Sequence, residues 1–379
     1  MTDPAFRALL PTGLRDLLPP DAAHEAATVE RLIAFFSSWG YERVKPPLVE
    51  FEDNLLSGAG RAMAAQTFRI MDPISQRMMG VRADMTLQVA RIAAHRLVNS
   101  ARPLRLCYSG QVLRVKGSQL QPQRQFTQVG VELIGAPPHA ADAEAVLMAA
   151  QALQDVGAKG VTVDLTLPTL VASILDGLGV TPSAQEALRE ALDHKDAALV
   201  AQIGGTAGPL LAALLDAAGP AERALALLQS VPLPDAAAAQ RAHLIEVLAI
   251  LRREGPDLTL TVDPVESRGF HYHSGLSFTI FARGMSAELG RGGRYEPDSG
   301  EPSTGFTLFM DTLIEALPAP APTKRLFLPY GTSGREARRL RAEGWVTVAG
   351  LGAVDDLAAE ARQLKCGHVF EAGQVKFLG

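Results

Sequence analysis

Hydrophobic and polar positions alternate on both sides of a short polar loop between residues 102 and 135. Leu104, Leu106 and Tyr108 point one way from the first segment. In the second, Val129, Val131 and Leu133 share one face, and Phe126, Gln128 and Glu132 share the other. Period-2 patterning around a loop of Gly, Ser, Gln and Pro predicts a long antiparallel hairpin. One face of the second strand enters a core. The other carries an amide and a carboxylate, which a face aimed only at packing would not select.

The same reading extends along the chain. Val29, Leu32, Ile33 and Phe36 fall at i, i+3, i+4 and i+7 and predict an amphipathic helix, with Asp21 placed to cap it and Gly40 to stop it. Tyr41 to Phe51 reads as extended, and Pro46 and Pro47 keep it out of a central ladder. Residues 60–83 predict two short strands with a turn at Asp72–Pro73. RADMT over 82–86 opens a helix through Asn99, with Asp84 either as its cap or as a carboxylate aimed into a site. A helix over 140–156 and a strand over 161–165 follow. Residues 182–254 are rich in Ala and Leu, hold no strand-like run and predict a helical insertion without site chemistry. Strand character returns at Thr259–Asp263 and at Leu276, Phe278 and Ile280, which alternate with Ser277 and Thr279. GRGGRY over 290–295 reads as a glycine-rich turn; no Lys-Ser or Lys-Thr follows, so it is not a phosphate-binding loop. Residues 303–317 read as a buried strand running into a helix. PAPAP over 318–322 is a linker, and residues 323–379 predict a small α/β domain.

Composition narrows the class. The 379 residues are 47% hydrophobic and 20% charged, as in globular chains with two or three domains. A net charge of −5 argues against a general nucleic-acid binder. Cys107 and Cys366 match no metal spacing and fit a reduced, cytoplasmic setting. The N-terminus is too short and broken for a signal peptide, and no stretch approaches bilayer-spanning length, so no membrane partner is expected.

Candidate chemistry concentrates on the hairpin. From Ala101 to Val131 there is no Asp or Glu, yet Arg102, Arg105, Arg114, Lys116 and Arg124 are present. Such a surface suits a zwitterion: Arg114 would take a carboxylate through its fork, and Glu132 an ammonium group. A solvated hairpin with ordinary surface charge is the alternative. His271 and His273 invite a metal, but no Asp, Glu or Cys stands close in sequence to complete a site, and none is expected.

Taken together, these stretches resemble the catalytic core of histidyl-tRNA synthetase, a class II aminoacyl-tRNA synthetase, over roughly residues 8–317. PLVE over 47–50 resembles the first class II motif, which builds a dimer interface. Leu113–Arg114 with RQFTQVGVE over 124–132 resembles the second. RGFHYH over 268–273, followed by GGRY over 292–295, resembles the motif peculiar to the histidine enzyme. The resemblance implies an α+β fold: an antiparallel sheet flanked by helices over residues 1–317, with the helical insertion at about 182–254.

The departures are informative. Lys116 stands where the family has a glutamate on adenine. Phe309 and Thr312 stand where the third motif has a glycine and a phosphate-gripping arginine. The C-terminal 57 residues are too short to resemble the anticodon-binding domain, so no tRNA partner is implied. Asp84 replaces a glutamate and His273 a tyrosine, while Thr86, Arg114, Gln128, Glu132, Arg268 and Tyr272 match a histidine pocket. RADMTLQVAR over 82–91 and RGFHYHSG over 268–275 look more like the regulatory subunits of ATP phosphoribosyltransferase, a family of synthetase paralogues. That resemblance implies a non-catalytic chain without a cofactor. It implies partnership with the short-form catalytic subunit, a homodimer within a hetero-octamer, and histidine as ligand in the first step of histidine biosynthesis. A divergent histidine–tRNA ligase or a free-standing histidine sensor are the competing readings. The apolar face of Val29, Leu32, Ile33 and Phe36 and the segment 41–51 are the expected dimer contact.

Overall fold

The computed structural model describes residues 9–117, 121–266 and 273–378. Two compact units divide at Pro318/Ala319. In chain order the first unit holds α1 (Asp21–Ser38), β1 (Glu42–Arg43), β2 (Val49–Phe51), α2 (Glu52–Leu55), β3 (Phe68–Met71), β4 (Met78–Val81), α3 (Thr86–His95), β5 (Leu104–Leu113), β6 (Gln125–Ile134), α4 (His139–Val156) and β7 (Val161–Thr166). Next come α5 (Leu170–Gly177), α6 (Pro182–Asp193), α7 (Ala197–Ile203), α8 (Gly208–Asp216), β8 (Gly219–Pro220), α9 (Ala221–Ser230) and α10 (Asp235–Glu254). The unit closes with β9 (Thr259–Asp263), β10 (His273–Ala282), β11 (Gly290–Tyr295), β12 (Ser303–Phe309) and α11 (Met310–Ala316).

Nine strands form one sheet in the order β1-β5-β6-β12-β11-β10-β7-β9-β8. The hairpin of β5 and β6 pairs from Leu104↔Ile134 to Leu113↔Gln125. Neighbouring strands run antiparallel except for β1 with β5 and β7 with β9. Alternation sorts the side chains. Val129, Val131 and Leu133 join Phe306 and Leu308 in a large core with α1, α4 and the helices that follow β7. Leu104, Leu106, Tyr108, Val112 and Phe126 face the other way and pack with Met85, Val89 and Phe309. A separate small sheet, β2-β4-β3, carries the hairpin with its turn at Asp72.

Several expectations change. GRGGRY is a strand, not a turn. Its glycines fit the centre of a sheet: a Cβ on Gly292 would meet the Gly305 carbonyl and stand 2.6 Å from the rings of Phe278 and the Cβ of Phe306. Asp21 lies in the first turn of α1, but its side chain accepts no capping hydrogen bond. The apolar face of α1 is consumed by the chain's own core; Phe36 meets Phe306 edge-to-face at 5.5 Å. That face is not available to a partner. Helix α3 stops at His95, four residues before Asn99, because Arg96 N and Leu97 N both close on the Ile92 carbonyl. The helical stretch 182–254 contains one short strand, β8, which pairs with β9 beyond its end, and it shares its core with the sheet.

The second unit contains β13 (Arg325–Leu328), α12 (Gly334–Ala342), β14 (Val346–Ala349), α13 (Leu357–Gln363), β15 (His368–Glu371) and β16 (Gln374–Phe377). Its sheet order is β14-β13-β15-β16. Ser333 caps α12 by accepting from Glu336 N, its hydroxyl donating to the Glu336 carboxylate, and Asp356 caps α13. Among the described residues, no helix is long and apolar enough to cross a membrane.

Candidate functional site

Strand register fixes where a cavity opens. On the face opposite the large core, one row of positions runs Leu106, Glu132, Gly305, Gly293, Ser277 across β5, β6, β12, β11 and β10. Two adjacent glycines leave a hollow about two strands wide, roughly 10 Å, beside Glu132. A second row, Tyr108, Gly130, Thr307, Arg291, Thr279, walls it on one side. A third, Ile134, Ser303, Tyr295, His273, walls it on the other. The resulting cavity measures about 100 Å³ and is also lined by Met63, Asp84, Thr86, Arg114 and Phe309. A Cβ at Gly305 would collide with Oε2 of Glu132, so only glycine fits that position.

Glu132 is the chemical centre. It is 1% exposed. Tyr108 Oη donates to Oε1 at 3.1 Å, and Tyr295 Oη donates to Oε2 at 2.8 Å. Burial pushes its carboxyl up to about 8, against the pull of the Tyr295, Thr86 and Tyr108 hydroxyls. A buried carboxylate with hydroxyl donors and an open hollow beside it is poised to accept a cationic group.

Asp84 and Gln128 form a brace at the start of α3. Asp84 Oδ1 accepts from Thr86 N at 2.9 Å, and its Oδ2 accepts from Gln128 Nε2 at 2.8 Å. Gln128 Oε1 in turn accepts from Met85 N at 3.0 Å. Asp84 therefore caps the helix and lines the cavity at once. Gln128 is fully buried behind it and acts through Asp84. Three further polar residues of 82–91 serve the scaffold. Arg82 donates to the Gln111 and Pro46 carbonyls, and Gln88 and Arg91 hold the buried Glu50 of β2.

Most hairpin cations are committed elsewhere. Arg102 pairs with Glu301, Arg105 with Glu144 at 3.0 Å, and Arg124 donates to the Arg114 and Thr12 carbonyls. Lys116 is exposed. Arg114 reaches the cavity, its guanidinium 4.9 Å from the Phe126 ring centre and 5.9 Å from that of Phe309. Burial pushes Arg114 down from its ordinary value, and the Asp84 carboxylate opposes this. Phe309 also meets Phe126 edge-to-face at 5.8 Å. Thr312 Oγ1 donates to the Glu288 carbonyl at 2.8 Å. Phe309→Ala would leave a void under Arg114, and chemical denaturation should show a loss of about 3–5 kcal/mol.

His273 lies on the wall and is 8% exposed. Burial, aided by the charge of Arg291, pushes its imidazole down to about 3, so it stays neutral. Arg268, Tyr272 and His271 lie outside the described residues. Among the described residues no group of three His, Cys, Asp or Glu side chains could hold a metal ion. Tyr108, Tyr295, Arg291, Gly293 and Gly305 were missing from the sequence reading of the site. Taking GRGGRY as a strand would have put Arg291, Gly293 and Tyr295 on one face.

The comparisons with known proteins decide the family. An ATP phosphoribosyltransferase regulatory subunit from Rhodospirillum centenum is 60% identical over 370 residues, 97% of this chain and 96% of that protein. This chain belongs to the ATP phosphoribosyltransferase regulatory subunits. Residues 13–313 also match the histidyl-tRNA synthetase family. A Bacillus halodurans structure described as an ATP phosphoribosyltransferase regulatory subunit/histidyl-tRNA synthetase superposes with a TM-score of 0.80 at 24% identity, covering 94% of this chain and 96% of that one. A chain of the ATP phosphoribosyl transferase complex from Thermotoga maritima superposes with a TM-score of 0.59 at 17% identity, covering 76% of this chain and 97% of that one. At these identities the two structures speak to fold alone. That fold is class II synthetase-like, as the motifs implied, and the regulatory-subunit family takes precedence over a ligase.

Proposed function

We propose that this regulatory subunit binds the short-form catalytic subunit of ATP phosphoribosyltransferase, activates it, and transmits inhibition by histidine taken up in the Glu132 cavity. The observation that carries the ligand reading is Glu132 itself: a buried carboxylate held by two tyrosine hydroxyls beside a hollow made by Gly305 and Gly293. Glu132 receives the ammonium group, with Asp84 and Thr86 nearby and Gln128 bracing Asp84. Arg268 and Arg114 serve the carboxylate, and Tyr272 and His273 the imidazole. Adding the purified chain to its catalytic subunit should raise phosphoribosyl transfer, and histidine should reverse the gain. A catalytic subunit equally active alone would end the activation reading.

The chain is not a ligase on this reading. In support, Phe309, at the position where the family resemblance has a glycine, packs against Arg114 and Phe126, and Thr312 turns its hydroxyl onto backbone. Loss of one transition-state clamp costs on the order of 10³-fold, so histidine-dependent ATP–pyrophosphate exchange should stay at background.

The chain also pairs with itself, within a hetero-octamer. Support comes from the small β2-β4-β3 sheet, which carries the first-motif segment. Its neighbourhood leaves Leu48, Ile70, Met71, Ile74 and Met78 exposed, Ile74 at 92%. Light scattering at micromolar concentration should give a dimer, and Met71→Glu with Ile74→Glu should shift it to monomer. A parent chain that is already monomeric would count against the pairing.

A further inference from the structure

Within the second unit the two edges of the sheet differ. Strand β16 carries Lys376, a charge of the kind that keeps edge strands from pairing. Strand β14, at the other edge, is Val346-Thr347-Val348-Ala349 and holds neither a charge nor a proline. Val346 N donates to the Lys324 carbonyl and Gly350 N to that of Leu328, so these positions turn their backbone toward β13. Thr347 and Ala349 therefore turn their N–H and C=O groups to the open side, where no described strand receives them. Side chains sort by face. Thr347 lies opposite Leu326 on the face covered by α12, and its Oγ1 accepts from Arg341 Nε at 2.9 Å. Val348 leaves on the other face, where it packs with Phe327 and Ala361, and Val346 shares that face and is 43% exposed. Helix α12 is divided along its length. Ala337 and Leu340 face the sheet; Arg341 and Arg338 lie on the flank beside β14, and Glu336 and Glu343 lie on the other, where Glu343 pairs with Arg339 at 2.7 Å.

We propose that the β14 edge is a docking site for an extended segment of another protein chain in which acidic and apolar side chains alternate. Such a segment adds a strand about 4.8 Å from β14 and pairs with the backbone of Thr347 and Ala349. Its side chains then alternate between the two faces. Those on the α12 face stand beside Thr347 and Ala349. Arg341 holds Thr347, and α12, as the crossover between the parallel strands β13 and β14, runs back against them, so Arg338 lies toward Ala349. Both guanidiniums are exposed, and carboxylates on that face complement them. Side chains on the opposite face extend the row of Val346 and Val348, and apolar ones fit there. A second copy of this edge does not fit, because antiparallel pairing about a two-fold axis would bring two arginine flanks together. Single-stranded nucleic acid would satisfy the arginines but leave the valine row uncovered.

Two capped octapeptides, one alternating Glu and Val and one alternating Lys and Val, test this on the full chain. Calorimetry should give the Glu–Val peptide a Kd below about 1 mM and the Lys–Val peptide roughly tenfold weaker binding or worse. Amide hydrogen exchange should find Thr347 and Ala349 open in the free chain and slowed roughly tenfold or more by saturating Glu–Val peptide. Arg338→Gln with Arg341→Gln should lose about tenfold in affinity for that peptide. Ala349→Pro deletes an outward N–H and spares the ladder to β13, so it should lose the slowed exchange at Thr347. The double glutamine variant, confined to exposed side chains, carries the test if Ala349→Pro does not fold. The assignment is overturned by a Glu–Val peptide that fails to bind at millimolar concentration, or that binds without slowing Thr347 and Ala349. Equal binding of the two peptides, or tighter binding of a uridine oligonucleotide than of the Glu–Val peptide, overturns it as well.

Discussion

Glu132→Gln should weaken histidine binding by roughly tenfold or more in calorimetry, because it removes the charge opposite the ammonium group and keeps the shape. The pH dependence distinguishes this from general damage. The carboxyl of the free protein is pushed up to about 8 by burial, so it is largely protonated at pH 7. Pairing with an ammonium group requires the carboxylate. Affinity should therefore rise roughly fivefold from pH 7 to pH 8 in the parent and stay flat in Glu132→Gln. Stability has the opposite sign. A carboxyl with a raised pKa holds its proton more tightly folded than unfolded. The unliganded fold therefore loses stability as pH rises from near 4.5 to about 8, and the loss is complete above that. Glu132→Gln removes this slope, so at pH 8 it should melt higher than the parent while binding histidine worse. A variant that binds normally, or a parent with no pH slope in affinity, would remove Glu132 from the ammonium contact.

The second large effect concerns feedback. If histidine in this cavity is the signal, it favours the inactive complex through its own differential affinity for the two states. A coupling of about 1–3 kcal/mol corresponds to a 5–150-fold shift in activity. The complex carrying Glu132→Gln should keep its activation and lose most of that inhibition at histidine concentrations that silence the parent. Unchanged inhibition alongside lost binding would place the feedback site elsewhere and leave the cavity as a vestige of the synthetase fold. Activation lost together with inhibition would mean instead that Glu132 supports the active assembly itself.

Much was legible from sequence because it depends on local periodicity. Alternation in β5 and β6 gave the hairpin, and it separated Val129, Val131 and Leu133 from Gln128 and Glu132 before any partner strand was known. The motif around 82–91 and the run of departures at Lys116, Phe309 and Thr312 pointed to a regulatory branch of a synthetase-like family.

What escaped depended on which strands became neighbours. Gly305 and Gly293 are ordinary in sequence, and they make a cavity only because β12 lies between β6 and β11 in register. Arg291 reads as part of a glycine turn until its strand alternation is known. The α1 face reads as a dimer surface until Phe306 covers it, since an amphipathic pattern states that a face is buried but not by what. Gln128 and Asp84 show the same limit: their residue types fit a ligand, and only the distances reveal that one braces the other. The sequence by itself determined most of the elements, because their periodicity is local. The tertiary structure decided which side chains share a hollow, because register and strand order are set by long-range pairing that no local pattern encodes.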